Sequence, residues 1–532
     1  MTTATADIQT KVEAPQSGVS PEDAVDQRKL IIFSVMIVGM FMAILDIQIV
    51  AASLPQIQAG LAASNDEISW VQSAYLIAEV MMIPASGYLS RALSTRTLFC
   101  ISVGGFTLAS FGCALAWNMP SLIVMRAIQG FVGGATIPTV FALAFSQFPR
   151  RMHGPLSAAI GLIVTLAPTI GPTLGGWISE HLTWHWLFLV NIPPGLLIVT
   201  IVWLYGHFDE PDFSLIRRLD VIGFALMAVA LGLIEYVLEE GSSNDWFDDP
   251  WITLFSIIAA VSFVAFVWRS LTWSNPIVDL TAYKNRNFVL GSIATLVMGA
   301  VLFGLVYLLP LFLARVRGFS SMQVGETLFV TGAAMFLTAP VAGMTSRSID
   351  PRYVAAFGLL LVAISTHAMT KLTADWGYWQ LFWPQVGRGM GMMLTMAPLN
   401  VIVLGTLEPS QVRSSSGLYN LTRNLGGALG LAAINTELTN RTHFHARVLF
   451  DHINAGRAIV ADRIDTLTGA FAGAGVPDAQ NAAVKVIGDE VARQAAVLAY
   501  ADSLQILFWI SLIAAVMLLF VKPPKFAPTG GH

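Results

Sequence analysis

The chain has 532 residues, of which 55% are hydrophobic and 12% are charged, and its mean hydropathy is +0.67. Soluble domains carry about 25% charged residues, so this composition excludes an ordinary soluble protein and indicates one that spans a membrane. A net charge of -4 offers no basic surface for nucleic acid, and two cysteines supply neither a disulfide framework nor a cysteine metal site.

The chain begins with a polar tail, residues 1–29, which lacks the apolar core and cleavage site of a signal peptide and is predicted to be disordered. Apolar runs follow, each long enough to cross a bilayer as a helix and without the ten-residue alternation of barrel strands. They predict an all-α membrane protein with fourteen spans, near residues 30–54, 69–90, 96–117, 121–146, 155–178, 186–206, 218–239, 251–272, 287–311, 323–344, 352–371, 379–403, 414–437 and 502–521.

The basic residues indicate how the chain is oriented. Most of the 29 Lys and Arg residues fall on the side of the N-terminal tail, whereas the short connections on the other side hold only Arg315, Arg317 and Lys371. Because positively charged loops stay in the cytoplasm, we expect a multi-pass protein of the cell (inner) membrane with both termini cytoplasmic.

The spans group as six, two and six. This grouping predicts an N-terminal six-helix bundle, a two-helix linker insert with its flanking loops, and a C-terminal six-helix bundle followed by a second cytoplasmic tail. The C-terminal bundle is expected to include a long outer loop at 438–501. The ranges in chain order are 30–206, 207–286, 287–521 and 522–532.

The two predicted bundles resemble each other. The fourth helix of each carries an arginine beside glycine, Arg126 in the first and Arg388 in the second. The fifth helix of each is rich in glycine, at Gly171, Gly175 and Gly176 and at Gly426, Gly427 and Gly430. Parallel repeats around a central cavity are typical of transporters.

Three ionisable residues lie inside the first four spans, namely Asp46, Glu79 and Arg126. A charge near the bilayer centre costs on the order of 2.5–3.5 kcal/mol, so such residues should face a cavity or a partner. The proton affinity of an acid near Arg126 depends on geometry, so a conformational change would load and release a proton. The alternative is a fixed ion pair between Asp46 and Arg126 that only sets the register of two helices.

Small residues in the fifth span, Gly171, Pro172, Gly175 and Gly176, form a face that a neighbouring backbone can approach closely. This face would serve either packing alone or a bundle interface that opens and reseals. Glu235 lies near the outer end of the seventh span, so we expect it at the membrane interface rather than in a functional role.

Signatures of other chemistry are weak. His443 and His445 could bind a metal, but no carboxylate or cysteine spacing supports this, and a loop that contacts a partner is preferred. The sequence contains no phosphate-binding loop, nucleophile elbow or metalloprotease motif. We therefore expect no enzyme activity, no cofactor and no bound metal.

Four motifs together resemble those of one transporter family, the major facilitator superfamily. Within it the sequence is similar to the fourteen-helix drug:proton antiporters of the EmrB/QacA type, closest to the EmrB-like branch. The motifs in chain order are Leu45-Asp46-x-x-Ile49-Val50 with Leu54-Pro55, Leu122-x-x-x-Arg126-x-x-Gln129-Gly130, Gly161 with Gly171-Pro172-x-x-Gly175-Gly176, and Trp184-x-Trp186 with Asn191-x-Pro193-x-Gly195.

The resemblance implies that the arginine of the helix 4 motif takes part in proton transfer and that the helix 5 glycines form an antiporter motif. It also implies that residues 438–501 meet a periplasmic adaptor (membrane fusion protein) leading to an outer-membrane channel, where the host has two membranes. The sequence departs from the family pattern at Gln48 and Ala51, which replace Thr and Asn, and at Arg91, which stands where the wider superfamily has Asp.

We therefore predict multidrug efflux by a proton-coupled antiporter that exports small hydrophobic or amphipathic compounds through alternating access. Asp46, together with Glu79, would bind the proton, and Arg126 would tune that acid. The spans alone identify no substrate-binding residues. The alternatives are a porter dedicated to one physiological solute, such as a vitamin, siderophore or metabolite, and a structural or sensory membrane component.

Overall fold

The computed structural model describes residues 27–453 and 457–522, and within these ranges the regular structure is helical, as predicted. The predicted tails lie outside the described residues except at 27–29 and 522. The α-helices are α1 (Gln27–Ala52), α2 (Leu54–Leu61), α3 (Asn65–Met82), α4 (Ser86–Leu93), α5 (Thr95–Ala114), α6 (Met119–Gly133), α7 (Thr136–Ser146), α8 (Arg150–His181), α9 (Trp186–Leu189), α10 (Ile192–Tyr205), α11 (Ser214–Arg217), α12 (Val221–Glu240), α13 (Pro250–Thr272), α14 (Arg286–Arg315), α15 (Ser321–Ser348), α16 (Pro351–Met369), α17 (Tyr378–Val403), α18 (Pro409–His452), α19 (Ala458–Gly473) and α20 (Ala479–Leu518).

Twelve helical segments of the described chain are long and apolar enough to cross a bilayer, or thirteen if α3 and α4 count as one span. The apolar runs predict fourteen. The run that is missing from this count, 414–437, lies inside α18, where Arg423 and Asn424 lower the hydropathy.

Two spans are broken in their interior. Helices α3 and α4 meet at a bend of 58°. Pro84 lies between them and cannot donate a backbone hydrogen bond, which explains the break. Helices α6 and α7 are likewise interrupted at Gly134 and Ala135.

The segment 438–501, which is predicted to be a long outer loop between two spans, is mostly helical in its described part. Helix α18 continues to His452, α19 covers most of the middle, and α20 begins at Ala479 and runs on into the last span. Helix α20 packs against both α18 and α19. Alanine-rich stretches such as 492–499 favour helix without being apolar enough to read as spans, which is why hydropathy did not reveal them.

Helices α1, α3, α5, α6, α7, α8 and α10 pack against one another, and so do α14–α18 and α20. The two groups meet where α8 lies against α15 and α17, and where α4 and α7 lie against α18. An ion pair of 2.9 Å between Asp209 and Arg413 also joins them. This pair lies near the end of the bundle where α1 begins, because Arg28 stacks over Tyr205 only four residues before Asp209.

The linker insert consists of α12 and α13, which pack against each other. Helix α12 also packs against α3 and α18, one helix from each group. Only 17% of the most apolar stretch of α13 is buried, so α13 lies on the outside of the bundle. The two insert helices are therefore not equivalent, because α12 contacts both helix groups.

Candidate functional site

The predicted pair of Asp46 and Arg126 forms an ion pair in the interior of the first helix group. Arg126 Nη1 donates to Asp46 Oδ2 at 2.6 Å, and both side chains have an exposed fraction of 0%. Arg126 Nε donates to the carbonyl oxygen of Val71 on α3 at 3.1 Å. The pair thus joins α1 to α6 and ties α6 to α3.

Two amides complete the environment of Asp46. Gln129 Nε2 donates to Asp46 Oδ1 at 3.3 Å, and Asn191 Nδ2 donates to the same oxygen at 2.7 Å. Both amides also donate to Ser110 Oγ, at 2.8 and 3.1 Å. Asp46 therefore accepts hydrogen bonds from three side chains of the described chain, those of Arg126, Gln129 and Asn191.

Asn191 hydrogen bonds to this cluster instead of capping its own helix. It occupies the N-cap position of α10, where an asparagine side chain usually accepts a hydrogen bond from its own helix. The side chain makes no such bond and donates instead to Asp46. Asp46, Arg126, Gln129 and Asn191 belong to three of the sequence motifs, so the structure brings these motifs together at one point.

Aromatic rings surround the arginine. Arg126 Cζ lies 4.3 Å from the ring centroid of Tyr75 and 5.9 Å from that of Phe188. Arg126 Nη2 is buried and has no hydrogen-bond partner among the described residues. A guanidinium held in this way is stabilised by Asp46 and by ring faces instead of water.

Glu79 lies elsewhere. No hydrogen bond or ion pair joins Glu79 to Asp46 or Arg126 in the described part of the chain. Instead, Glu79 lines a cavity of about 90 Å³ bounded by helices α1, α3, α7, α8, α12, α14 and α18. The structure therefore unites two of the three predicted charges and leaves the third facing this central cavity.

The central cavity is mostly apolar but carries several charges. Glu79 of α3, Glu235 and Glu239 of α12, and Arg423 of α18 all line it. A second, more open cavity shares Gln48, Glu239 and Phe303 with it and reaches Ser242, beyond the end of α12. Gln48, one of the departures from the helix 1 motif, lines both cavities.

The expectation that Glu235 lies at the membrane interface is wrong. Its exposed fraction is 7%, and it lines the central cavity. The sequence predicts no role for Glu239 or Arg423, which also line this cavity. The usable signal was the four-residue spacing of Glu235 and Glu239, which places both on one face of a helix.

The residues of the predicted antiporter motif differ in how closely they pack. A Cβ at Gly175 would lie 2.7 Å from the carbonyl oxygen of Ile49, and one at Gly171 would overlap Gln48, so these two positions let α8 pack tightly on α1. Pro172 and Gly176 are only partly buried. The close approach thus depends on Gly171 and Gly175.

A histidine near the C-terminal end of α18 contacts another helix. His445 Nε2 lies 2.8 Å from Asp502 Oδ2, which links α18 to α20. Among the residues that the structure describes, no group of three or more His, Cys, Asp or Glu side chains is placed to hold a metal.

The sequence matches the family model of the Major Facilitator Superfamily over residues 36–431. It is 40% identical over 494 residues to the colistin resistance protein EmrB of Acinetobacter baumannii, covering 93% of this chain and 96% of that protein. It is 30% identical over 498 residues to the fatty acid resistance protein FarB of Neisseria gonorrhoeae, with coverage of 93% and 96%. It is also 29% identical over 500 residues to the multidrug export protein EmrB of Escherichia coli, with coverage of 92% and 95%.

Solved structures share the fold at low sequence identity. The proton:xylose symporter XylE aligns with a TM-score of 0.60 and 14% identity, covering 94% of this chain and 97% of that one. The human organic anion transporter MFSD10 aligns with a TM-score of 0.56 and 13% identity, covering 91% and 99%. The family matched by the sequence and the fold shared with these structures agree with the helix motifs, and the chain belongs to the Major Facilitator Superfamily of membrane transporters.

Proposed function

We propose that this protein is a proton-coupled exporter of hydrophobic or amphipathic compounds, which makes it a multidrug efflux transporter. The observation that carries the proposal is the buried Asp46–Arg126 pair beside a largely apolar central cavity. The names of the relatives agree with it, since they refer to colistin resistance, fatty acid resistance and multidrug export.

The proposed architecture has fourteen spans. Two six-helix bundles, 30–206 and 287–521, would alternate access to the cavity, with the insert 207–286 between them. The apolar part of α18, 414–437, would be the span that its hydropathy conceals, because its polar residues Arg423 and Asn424 line the cavity. We further propose that the protein lies in the inner membrane with both termini cytoplasmic, as the basic residues indicate.

Asp46 is the proposed proton-binding residue, with Glu79 as a second acid and Arg126 as the group that tunes Asp46. Adding a proton to Asp46 would remove the negative charge that now faces Arg126 at 2.6 Å. Helices α1, α3 and α6, which Arg126 joins at this point, would then be held together less strongly. A proton moving inward across about 100 mV supplies roughly 2.3 kcal/mol per charge, which such a group can convert into motion.

The antiporter motif of α8 is the proposed gate. Helix α8 packs tightly on α1 through Gly171 and Gly175, and on its other side it lies against α15. A helix that contacts both groups in this way would have to slide or tilt when they rearrange. Pro172 and Gly176 would ease that movement by weakening the helix.

The helical extension that follows the span in α18 is a proposed docking surface for a periplasmic adaptor, which would lead to an outer-membrane channel in a host with two membranes. Helices α18, α19 and α20 pack together in this region, which gives the extension a defined shape. A folded, polar extension on one face of a transporter is suited to a protein partner.

Transport by the full-length protein in liposomes tests the proposed function. An imposed proton gradient should drive movement of cationic, neutral or anionic amphipathic dyes, and Asp46→Asn should abolish this movement. Asparagine keeps an acceptor oxygen for Arg126, so the variant should fold, and its thermal unfolding checks this point. Glu437→Gln is the matched control, because Glu437 pairs with Arg441 on the surface. Export by Asp46→Asn at the normal rate would refute the proton site.

A further inference from the structure

Helix α12 of the insert is held firmly in place between the two helix groups. The ring of Tyr236 stacks on Trp70 of α3, with centroids 5.7 Å apart. In the turn after α12, Trp246 Nε1 donates to Thr436 Oγ1 of α18 at 3.0 Å. Gly232 lies against Met81, where a side chain would overlap. Because α12 is fixed to both helix groups, it forms a wall of the cavity that lies between the two groups.

This wall is acidic. Glu235 and Glu239 are one helical turn apart on α12, and both line the central cavity. Among the described residues that line it, the other ionisable side chains are Glu79 and Arg423, which are opposite in sign. The described cavity wall thus holds three carboxyl groups and one guanidinium group.

Glu235 has an unused hydrogen-bonding atom. Its exposed fraction is 7%, and its Oε2 is buried without a hydrogen-bond partner among the described residues. Leaving a buried carboxyl oxygen without a partner destabilises a protein, and native structures seldom retain such a group unless it has a use. A ligand with a positive charge would supply the missing partner.

The remaining surface of the cavity suits the rest of such a ligand. Its walls are largely aliphatic, with Phe303 of α14 and Leu431 of α18 facing the space. The central cavity itself has a volume of only about 90 Å³, but the more open cavity that shares Glu239 with it has about 350 Å³, which is in the range of pockets that enclose drug-sized molecules. The cavity thus combines an apolar enclosure with two acidic side chains on one wall.

We propose that α12 forms part of the substrate site and that Glu235, with Glu239, binds the positive charge of an amphipathic cation. This inference rests on the proposed export function and deepens it, because it names a substrate class and the element that selects it. Glu239 also lines the more open outer cavity, so it is placed to guide the cation between that cavity and Glu235. An anion of the same shape would meet the carboxylates unfavourably.

Two ions of nearly equal shape and opposite charge test the proposal directly. Equilibrium binding of tetraphenylphosphonium and of tetraphenylborate is measured on the purified full-length protein in a non-ionic detergent, without a proton gradient. The variants are Glu235→Gln and Glu239→Gln. Glu240→Gln is the matched control, because Glu240 is on the same helix but interacts with Ser73 instead of lining the central cavity.

The wild-type protein should bind the cation and discriminate against the anion. Glu235→Gln should weaken binding of the cation at least about tenfold, because one charge interaction in a poorly hydrated site is lost. Glu239→Gln should weaken it by a smaller factor, and Glu240→Gln should remain within about twofold of the wild type. If Glu235→Gln does not fold, as judged by thermal unfolding, Glu239→Gln carries the test alone.

Several results would overturn the inference. They are absent binding of the cation, equal or tighter binding of tetraphenylborate, wild-type affinity in Glu235→Gln, and an equal loss in Glu240→Gln. Failure of the proposed export function would look different, because it appears in the liposome assay and not in binding. A protein that exports only neutral and anionic dyes would keep its proposed function and refute the role of α12.

Discussion

The N-terminal half (residues 27–205) and the C-terminal half (residues 286–522) each bury an arginine in the fourth helix of their repeat, but they treat it differently. Arg126 faces the carboxylate of Asp46 at 2.6 Å. Arg388 has an exposed fraction of 3% and donates from Nη2 to Thr331 Oγ1 at 2.8 Å. Its Nε and Nη1 have no hydrogen-bond partner among the described residues.

The difference has a source in the sequence. Helix α1 supplies Asp46 to the first arginine, whereas α14, which packs on α18 as α1 packs on α8, contains no acidic residue. A repeated fold has thus kept the arginine in both halves and the carboxylate in one. The comparison teaches that a buried arginine found in both halves need not have the same role in both, and it favours the proposed proton site in the N-terminal half.

Removing each arginine is the most direct test of whether Arg126 and Arg388 differ in their role. Arg126→Met should destabilise the protein by about 3–5 kcal/mol, because it leaves Asp46 buried without its counter-charge. Arg388→Met removes an arginine that has no carboxylate, so its stability should stay within about 1 kcal/mol of the wild type or rise. Thermal unfolding of the purified variants measures both effects. Equal losses in the two variants would contradict the distinction between the halves.

Giving Arg388 a carboxylate should make the halves alike. Thr331→Asp places an acid where Thr331 now accepts from Arg388. It should be tolerated beside Arg388 and destabilising in the Arg388→Met background, with a coupling of about 2–3 kcal/mol. A double-mutant cycle of unfolding measurements gives this coupling. A coupling near zero would mean that Arg388 does not respond to a neighbouring charge.

Gly175 and Gly430 lie where two helices pack closely, one in each half. Substitutions at these two glycines should have similar effects, which would show that the halves differ in their charges and not in their packing. A Cβ at Gly175 would lie 2.7 Å from the Ile49 oxygen, and one at Gly430 would lie 2.5 Å from Ala300 Cα. Gly175→Ala and Gly430→Ala should therefore each cost about 1–3 kcal/mol of stability through overpacking. Gly176→Ala, at a partly exposed position, is the control in the same unfolding assay. A harmless Gly175→Ala would argue against tight packing of α8 on α1.

The smallest effect is expected where the halves meet. In the Asp209–Arg413 pair the side chain of Arg413 is partly exposed and that of Asp209 is buried, and Asp209→Asn should cost about 1 kcal/mol and raise the open population roughly fivefold. Labelling by a maleimide of Ser414→Cys, in a background without Cys100 and Cys113, reports this opening. Asp212→Asn lies in the same loop and should leave the labelling rate unchanged. An unchanged rate in Asp209→Asn would show that this pair does not hold the halves together.

The Asp46–Arg126 pair could be predicted because the bilayer makes interior charges expensive, so few positions qualify and opposite charges find each other. The orientation of α12 could not be predicted. Its residues between Val221 and Ile234 are almost entirely apolar, so no face is marked as the one that meets protein. Only the tertiary contacts with α3 and α18 turn Glu235 inward, and a single sequence does not contain them.

The same limit applies to α18, although its apolar run 414–437 is long enough to predict a span. Hydropathy detects helices that face lipid, and α18 instead turns Arg423 and Asn424 toward the cavity. Its continuation to His452 is polar and exposed, so it reads as a loop to any method based on apolar runs. Polar residues that face an internal cavity thus lower the hydropathy by which a membrane helix is recognised.

Helix α18 has a mechanical consequence. Its 44 residues make an uninterrupted rod about 66 Å long, roughly twice the thickness of the hydrocarbon core. One rod contains Arg413 at the junction of the halves, Arg423 at the cavity and His445 in the extension. A tilt of a few degrees at the cavity therefore becomes a displacement of several ångströms at the tip, which makes α18 a lever that reports the state of the cavity to whatever contacts its far end.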